Sequence, residues 1–246
     1  FGLVKMSDHS IEKIKRLIPN LSSLMLKGGE FFADPTNIEL LDYCSDVNPD
    51  CHVTSATNMQ KLTDKHLKVL NKINDVDLSV SIDGTHKIYD WIRGGNFNRT
   101  VENMERYYNE TGKKLGVSIT ISIYNFFNLH DIIDYFSDKE YVHNIECKNI
   151  VAWPRWCSIQ KLDKDVVEEQ MINYMEIFAK SKYKWAKLKD PQFFNGLTEL
   201  DQGRTWDKRV YFQTIQYTKE MNKIRGFDIF DHVPELKKMY KNEKNA

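Results

Sequence analysis

The sequence predicts an α/β fold built on a parallel sheet, open or closed as a barrel, with a mostly helical C-terminal extension. Three observations carry that expectation. Short apolar runs of strand length alternate with segments of helical periodicity, five times from Leu21 onward. The connections are short, so consecutive strands joined through a helix run parallel with right-handed crossovers. The first three strands close on turn residues, Gly28-Gly29, Thr57-Asn58 and Asp83-Gly84, and parallel α/β sheets place their ligand sites at these carboxyl ends.

A first helix is expected from Ser7 or Asp8, with Ile11, Ile14, Leu17 and Ile18 on one face, ending at Pro19. The opening strand ends in Leu24-Met25-Leu26. Asp34-Pro35-Thr36 starts the second helix, which stops near Asn48-Pro49, and Cys51–Ala56 is the second strand. Thr63 caps a helix bearing Leu67, Val69, Leu70 and Ile73, and Val76–Ile82 alternates as a third strand. A helix over Asn96–Tyr108, a strand over Leu115–Tyr124, a helix over Leu129–Phe136 and a strand over Asn144–Val151 complete the pattern. Beyond Asp163 the character changes to a long helix over Val166–Tyr183, an aromatic irregular piece over Trp185–Trp206, and a helix to about Arg225. Phe193, Phe194, Leu197 and Leu200 are expected to pack this part onto the sheet domain.

The 246 residues suffice to bury a core unaided. With 35 Lys and Arg against 35 Asp and Glu the chain has no basic field to attract nucleic acid. No apolar stretch approaches the roughly 20 residues of a membrane span, so no membrane partner and a cytoplasmic location are expected. The four cysteines, Cys44, Cys51, Cys147 and Cys157, show no Cys-x-x-Cys spacing, and the seven histidines show no i, i+4 pair. No metal site is therefore expected among the chain's own residues.

The apolar run that stops at Gly28-Gly29-Glu30 is the first candidate site. Paired glycines let backbone approach a ligand, and the carboxylate of Glu30 with strand-end carbonyls suits an ammonium group. The turn lacks the Lys and Ser/Thr of a P-loop and the third glycine of a dinucleotide fingerprint. Ser81 and Asp83 share one side of the third strand, which suits a hydroxylated ligand such as a ribose or, equally, a solvated turn. Arg93, among Tyr89, Trp91, Gly94 and Gly95, has the geometry to hold a carboxylate or to stack on Trp91.

Taken in order, strand and Gly28-Gly29-Glu30, strand and Ala56-Thr57-Asn58, strand Ser79–Gly84, Tyr89–Gly94 and Val101-Glu102-Asn103 resemble the radical S-adenosylmethionine enzymes. In particular they resemble the branch with a twitch- or SPASM-like C-terminal extension. The likeness runs from about Ile11 to Asp163, and Leu200–Arg204 with Val233-Pro234-Glu235-Leu236 resembles that branch's C-terminal part.

The resemblance implies a radical SAM-like partial parallel (β/α)6 barrel core over residues 1–163, lacking its first strand, and an extension over 164–246. It implies reductive cleavage of S-adenosylmethionine by a [4Fe–4S] cluster to a 5′-deoxyadenosyl radical, followed by hydrogen abstraction from a small-molecule or peptide substrate, with an electron donor for the cluster. By motif, Gly28, Gly29 and Glu30 would meet the methionine amino group, Ser81 and Asp83 its ribose or carboxylate, and Asn58 and Arg93 would line the same cleft.

The chain departs from the family in three places. Phe31 stands where Pro is usual, Met59 where Gly is common, and the Cys-x-x-x-Cys-x-x-Cys cluster loop is absent from the sequence. Three thiolates are what such a cluster needs to leave one iron open. With Phe1 rather than Met at the start, the expectation is a fragment whose cluster ligands lie upstream of Phe1 and which is inactive alone. Cys147 and Cys157 are the only candidates for an auxiliary cluster. Two other readings stay open: a non-catalytic module of the same fold that binds S-adenosylmethionine or a peptide, and an unrelated α/β barrel lyase or hydrolase with Glu30 and Asp83 as acid and base.

Overall fold

The computed structural model describes residues 6–181, 187–189 and 208–242. Residues 190–207 lie outside the described residues, and with them the expected packing of Phe193, Phe194, Leu197 and Leu200 and the Leu200–Arg204 motif.

The strands follow chain order in one sheet, β1 (Ser23–Leu26), β2 (His52–Thr57), β3 (Val76–Ser81), β4 (Leu115–Ile121), β5 (Val142–Ile150) and β6 (Leu188–Lys189). The pairs β1–β2, β2–β3 and β5–β6 are parallel. The five-strand parallel α/β sheet expected from the alternation, and the partial barrel that the resemblance implies, are present. A sixth strand, two residues long, lies beside β5 at the edge of the described sheet. The chain divides into two compact units, one holding the described residues through Ser81 with Arg99–Gly116, the other Ile82–Asn98 with the described residues from Val117 on.

In the first unit, helix α1 (Asp8–Leu17) is capped by Ser7, whose Oγ accepts from the Ser10 N–H at 3.2 Å. Helix α2 (Pro35–Val47) begins where the Asp34 carboxylate accepts from the Thr36 N–H at 2.9 Å and Pro35 takes the first helical position. It stops at Asn48, whose Nδ2 donates to the carbonyls of Ile18 and Leu21 at 2.9 Å each and ties the helix end to the entry of β1. Helix α3 (Asp64–Lys72) carries a capping box: Thr63 Oγ1 accepts from the His66 N–H, and His66 Nδ1 accepts from the Thr63 N–H. The inward residues Val53, Leu78 and Val80 and the helix residues Leu41, Leu67 and Leu70 are fully buried or nearly so, as alternation at period 2 in strands and 3.6 in helices dictates.

In the second unit lies helix α4 (His86–Arg93), which the sequence reading leaves unassigned. It is only eight residues long and its N-cap, Thr85, makes no side-chain capping bond. Its end is signalled by Gly94, left-handed at φ 66°, whose N–H donates to the Asp90 carbonyl at 2.9 Å. Helix α5 (Phe97–Thr111) opens in this unit and runs on into the first; α6 (Leu129–Ser137), α7 (Lys164–Ser181), α8 (Lys208–Arg225) and α9 (Pro234–Asn242) follow. Two single-turn 3-10 helices, Arg155–Cys157 and Ile159–Lys161, occupy the expected linker. Helix α8 is fastened by polar anchors inside an aromatic core: Tyr124 Oη with Thr218 Oγ1 at 2.9 Å, Trp91 Nε1 donating to Asn222 Oδ1 at 2.7 Å, and Arg225 Nε donating to the Trp91 carbonyl at 2.8 Å. Buried aromatic hydroxyls and indoles that find such partners avoid a desolvation cost of about 1–3 kcal/mol each.

Candidate functional site

The turn after β1 is built on two glycines that no other residue replaces without strain. Gly28 and Gly29 have φ of 119° and 55°, and a Cβ placed on either meets nothing within 4 Å. Glycine is therefore required by the backbone and not by crowding, and the turn presents open main chain. Glu30 follows, and its side chain folds back across the strand ends. Oε2 accepts from the Asn58 N–H at 2.8 Å, and Oε1 accepts from the Thr57 hydroxyl and, at 3.4 Å, from the Phe32 N–H. One carboxylate thus clasps the ends of β1 and β2. A carboxylate offers about four lone-pair sites, so three donors leave it capacity for one more.

Asn58 lies in a second layer of the same unit. Its Oδ1 accepts from the Gln60 N–H at 2.9 Å, and its carbonyl accepts from Thr100 Oγ1 at 3.1 Å. Met59 is left-handed at φ 54°, the conformation that glycine takes at no cost, and is wholly buried. This accounts physically for the departure noted in the sequence: the position asks for glycine, and Met59 meets the demand because burial of its side chain and the Asn103 Nδ2 bond to its carbonyl at 2.8 Å offset the strain. Thr57 was not singled out from the sequence, yet its hydroxyl donates to Glu30 and accepts from the Met59 N–H at 3.0 Å. A threonine ending a strand reads as an ordinary β-former, so the sequence marked it only as part of the strand-end pair Thr57-Asn58 and of the Ala56-Thr57-Asn58 run.

Ser81 is the last residue of β3 and half-buried. In the second unit, Asp83 is 6% exposed, and both its oxygens are engaged: Oδ2 with Arg93 Nε at 2.7 Å, and Oδ1 with the Thr120 N–H at 2.8 Å. Arg93 therefore does hold a carboxylate, and the carboxylate is that of Asp83. Burial pushes the Asp83 carboxyl above the usual range, against the opposing pull of Arg93 and the Thr120 N–H. Asn125, fully buried, completes the turn by donating through Nδ2 to the carbonyls of Asp83 and Thr120 at 3.0 and 2.9 Å. The structure thus brings Gly28, Gly29, Glu30 and Asn58 together in one unit, and Asp83 with Arg93 in the other.

The cysteines are all buried and free. Burial raises the thiols of Cys44 and Cys157 to about 12, the first beside Cys51, and raises that of Cys147 further. Metal ligation needs thiolates, and raised thiols resist ionisation. Among the described residues no group of three His, Cys, Asp or Glu stands ready for a metal ion. No described helix is long and apolar enough to cross a membrane.

The model of the Radical SAM superfamily matches residues 5–138, more than half of the chain. The chain belongs to the radical SAM superfamily. No curated protein sequence matches it. Among solved structures, SuiB of Streptococcus suis bound to S-adenosylmethionine superposes with a TM-score of 0.56 at 16% identity, covering 81% of this chain and 45% of that one. SuiB bound to its precursor peptide SuiA gives 0.56 at 16%, covering 77% and 44%. Native anSMEcpe with bound AdoMet and the Cp18Cys peptide gives 0.53 at 15%, covering 82% and 60%. At these identities the likeness is one of fold, and the chain spans about half the length of those proteins.

Superfamily membership implies S-adenosylmethionine-dependent radical chemistry in general, and with it a [4Fe–4S] cluster. The clasp at Gly28–Glu30 fits an ammonium-bearing ligand: open main chain and a carboxylate with spare acceptor capacity. The cysteines do not fit the cluster, being four, buried and not gathered as three ligands.

Proposed function

We propose that the radical SAM chain holds S-adenosylmethionine by its methionine end at the β1 and β2 strand ends, in the service of radical chemistry on a peptide or small-molecule substrate. The observation that carries this is the Glu30 carboxylate, set by Asn58, Thr57 and Phe32 beside two glycines with open backbone. When bound beside a reduced cluster, the cofactor supplies a 5′-deoxyadenosyl radical. The residues of this chain bind and orient. Glu30 offers a fixed negative charge to the ammonium, in a geometry its three donors hold before ligand arrives, so little ordering is left to pay on binding. Gly28 and Gly29 let the ligand come against main chain. Asn58 lines the same turn, and Ser81, Asp83 and Arg93 are proposed for the ribose or carboxylate. The peptide class is supported by the peptides bound to SuiB and anSMEcpe. The twitch- or SPASM-like assignment and the division into a core over 1–163 and an extension over 164–246 belong to this proposal too.

A second reading, a module that binds S-adenosylmethionine without turning it over, is favoured by the four buried cysteines. Both readings share the clasp. Calorimetric titration with S-adenosylmethionine is expected to give saturable binding that Glu30→Gln weakens about tenfold, the loss of one charge-assisted contact. The amide keeps one acceptor oxygen but sets a donor against the other partner of the clasp, so the melting temperature of each protein is recorded beside the titration to separate lost recognition from lost folding. Equal binding by parent and variant removes the proposed site.

A further inference from the structure

One face of α8 forms a stripe of mixed chemistry. Gln213, Gln216, Tyr217 and Glu220 fall at i, i+3, i+4 and i+7, and with Trp156 from the turn Arg155–Cys157 they line a pocket of about 480 Å³ in the second unit. Its walls are aromatic. The Trp156 and Tyr217 ring centroids lie 6.3 Å apart at 53°, and Trp153 stands 5.9 Å from Trp156 at 57°. The Trp156 carbonyl accepts from Thr214 Oγ1 of α8 at 2.9 Å, and among the described residues its buried indole Nε1–H has no acceptor. Trp153 is 73% exposed, an unusual position for the largest apolar ring.

Of the charged groups, the lining itself carries one carboxylate, Glu220, with Lys223 beside it and the Arg225 charge felt at the Tyr217 hydroxyl. Glu220 is paired with Lys223 at 2.8 Å, and both side chains are about two-thirds or more exposed; such a solvated surface pair is weak and exchanges readily with a competing cation. Aromatic faces attract cations through their quadrupoles, and the carboxylate adds a counter-charge. The two glutamine amides offer donors and acceptors of the kind an extended main chain uses.

We infer that this pocket binds a peptide through an arginine or lysine side chain, laid against Trp156 and Tyr217 with its charge toward Glu220 and the neighbouring backbone on Gln213 and Gln216. The pocket requires nothing of the strand-end turns, so it is tested without S-adenosylmethionine, and its failure is distinguishable from failure of the cofactor site.

Tryptophan emission of the full chain is followed during addition of a short Gly-Ser peptide with one central arginine, and of the same peptide with citrulline in its place. A saturable change is expected for arginine, with citrulline about tenfold weaker through loss of the cation–π and carboxylate contacts. Glu220→Gln, at an exposed position, is expected to weaken the arginine peptide about fivefold, and Lys223→Ala to strengthen it by removing the competing cation. Equal responses to arginine and citrulline, no response to either, or affinity unmoved by both variants overturns the inference.

Discussion

Asp83 shows how a single residue's surroundings set its chemistry. An aspartate before glycine reads in the sequence as a turn residue or a ligand, and only the fold reveals that Arg93 and the Thr120 N–H take its two oxygens. Burial is the larger influence, so the carboxyl ionises above its ordinary value. The sign of the linkage follows: a raised acid stabilises the folded state below the unfolded value near 3.8 and loses that contribution as pH rises through the folded value. Carbon-detected NMR titration of the Asp83 carboxyl is expected to show a midpoint above 3.8, and Arg93→Ala a further upward move because the opposing cation is gone. A midpoint at or below the ordinary value, or a downward move in the variant, contradicts this balance. Glu30 was legible because a carboxylate after two glycines at a strand end is unusual. Thr57 was not, because its role depends on where the Glu30 side chain folds, and that is a tertiary fact.

At the scale of elements, capping chemistry was the most readable feature. Thr63 caps the helix expected of it, Ser7 is the cap where Ser7 or Asp8 was expected, and Asp34 caps the helix start expected at Asp34-Pro35-Thr36. Helix α4 escaped because it has no capping side chain and because His86 enters it at φ 45°, a conformation that residue type does not announce. Helix α3 carries a testable consequence. His66 is buried, stacks on Phe32 at 5.0 Å, and uses Nδ1 as the acceptor of the capping box. Burial first, then Lys61 and Lys65, lower it to about 4 from 6.5. A proton on Nδ1 would turn that acceptor into a donor facing the Thr63 N–H. Stability is therefore full above the unfolded value of 6.5 and falls as pH drops toward about 4, by up to about 1.4 kcal/mol per pH unit. Denaturant melts across this window are expected to show that decline in the parent and a flatter profile in His66→Gln, which keeps a capping-box acceptor. Identical slopes in the two proteins would rule out His66 as the source.

Across the whole molecule, the order of strands was legible because alternation repeats five times and turn residues close the first three strands, and a repeated pattern outweighs an error at any boundary. The edge strand β6 was not, since two residues carry no periodicity. The clasp itself was half legible: Gly28, Gly29, Glu30 and Asn58 stood out, whereas the bonds joining them across β1 and β2 needed the parallel register Leu26↔Ser55 to bring the strand ends level. The account's central claim is that this junction receives the methionine end of S-adenosylmethionine. Backbone amide NMR spectra recorded during addition of S-adenosylmethionine to the full chain test it most directly. The largest shifts are predicted at the amides of Gly28, Gly29 and Asn58, while shifts confined to other residues, or none at saturating ligand, would contradict it.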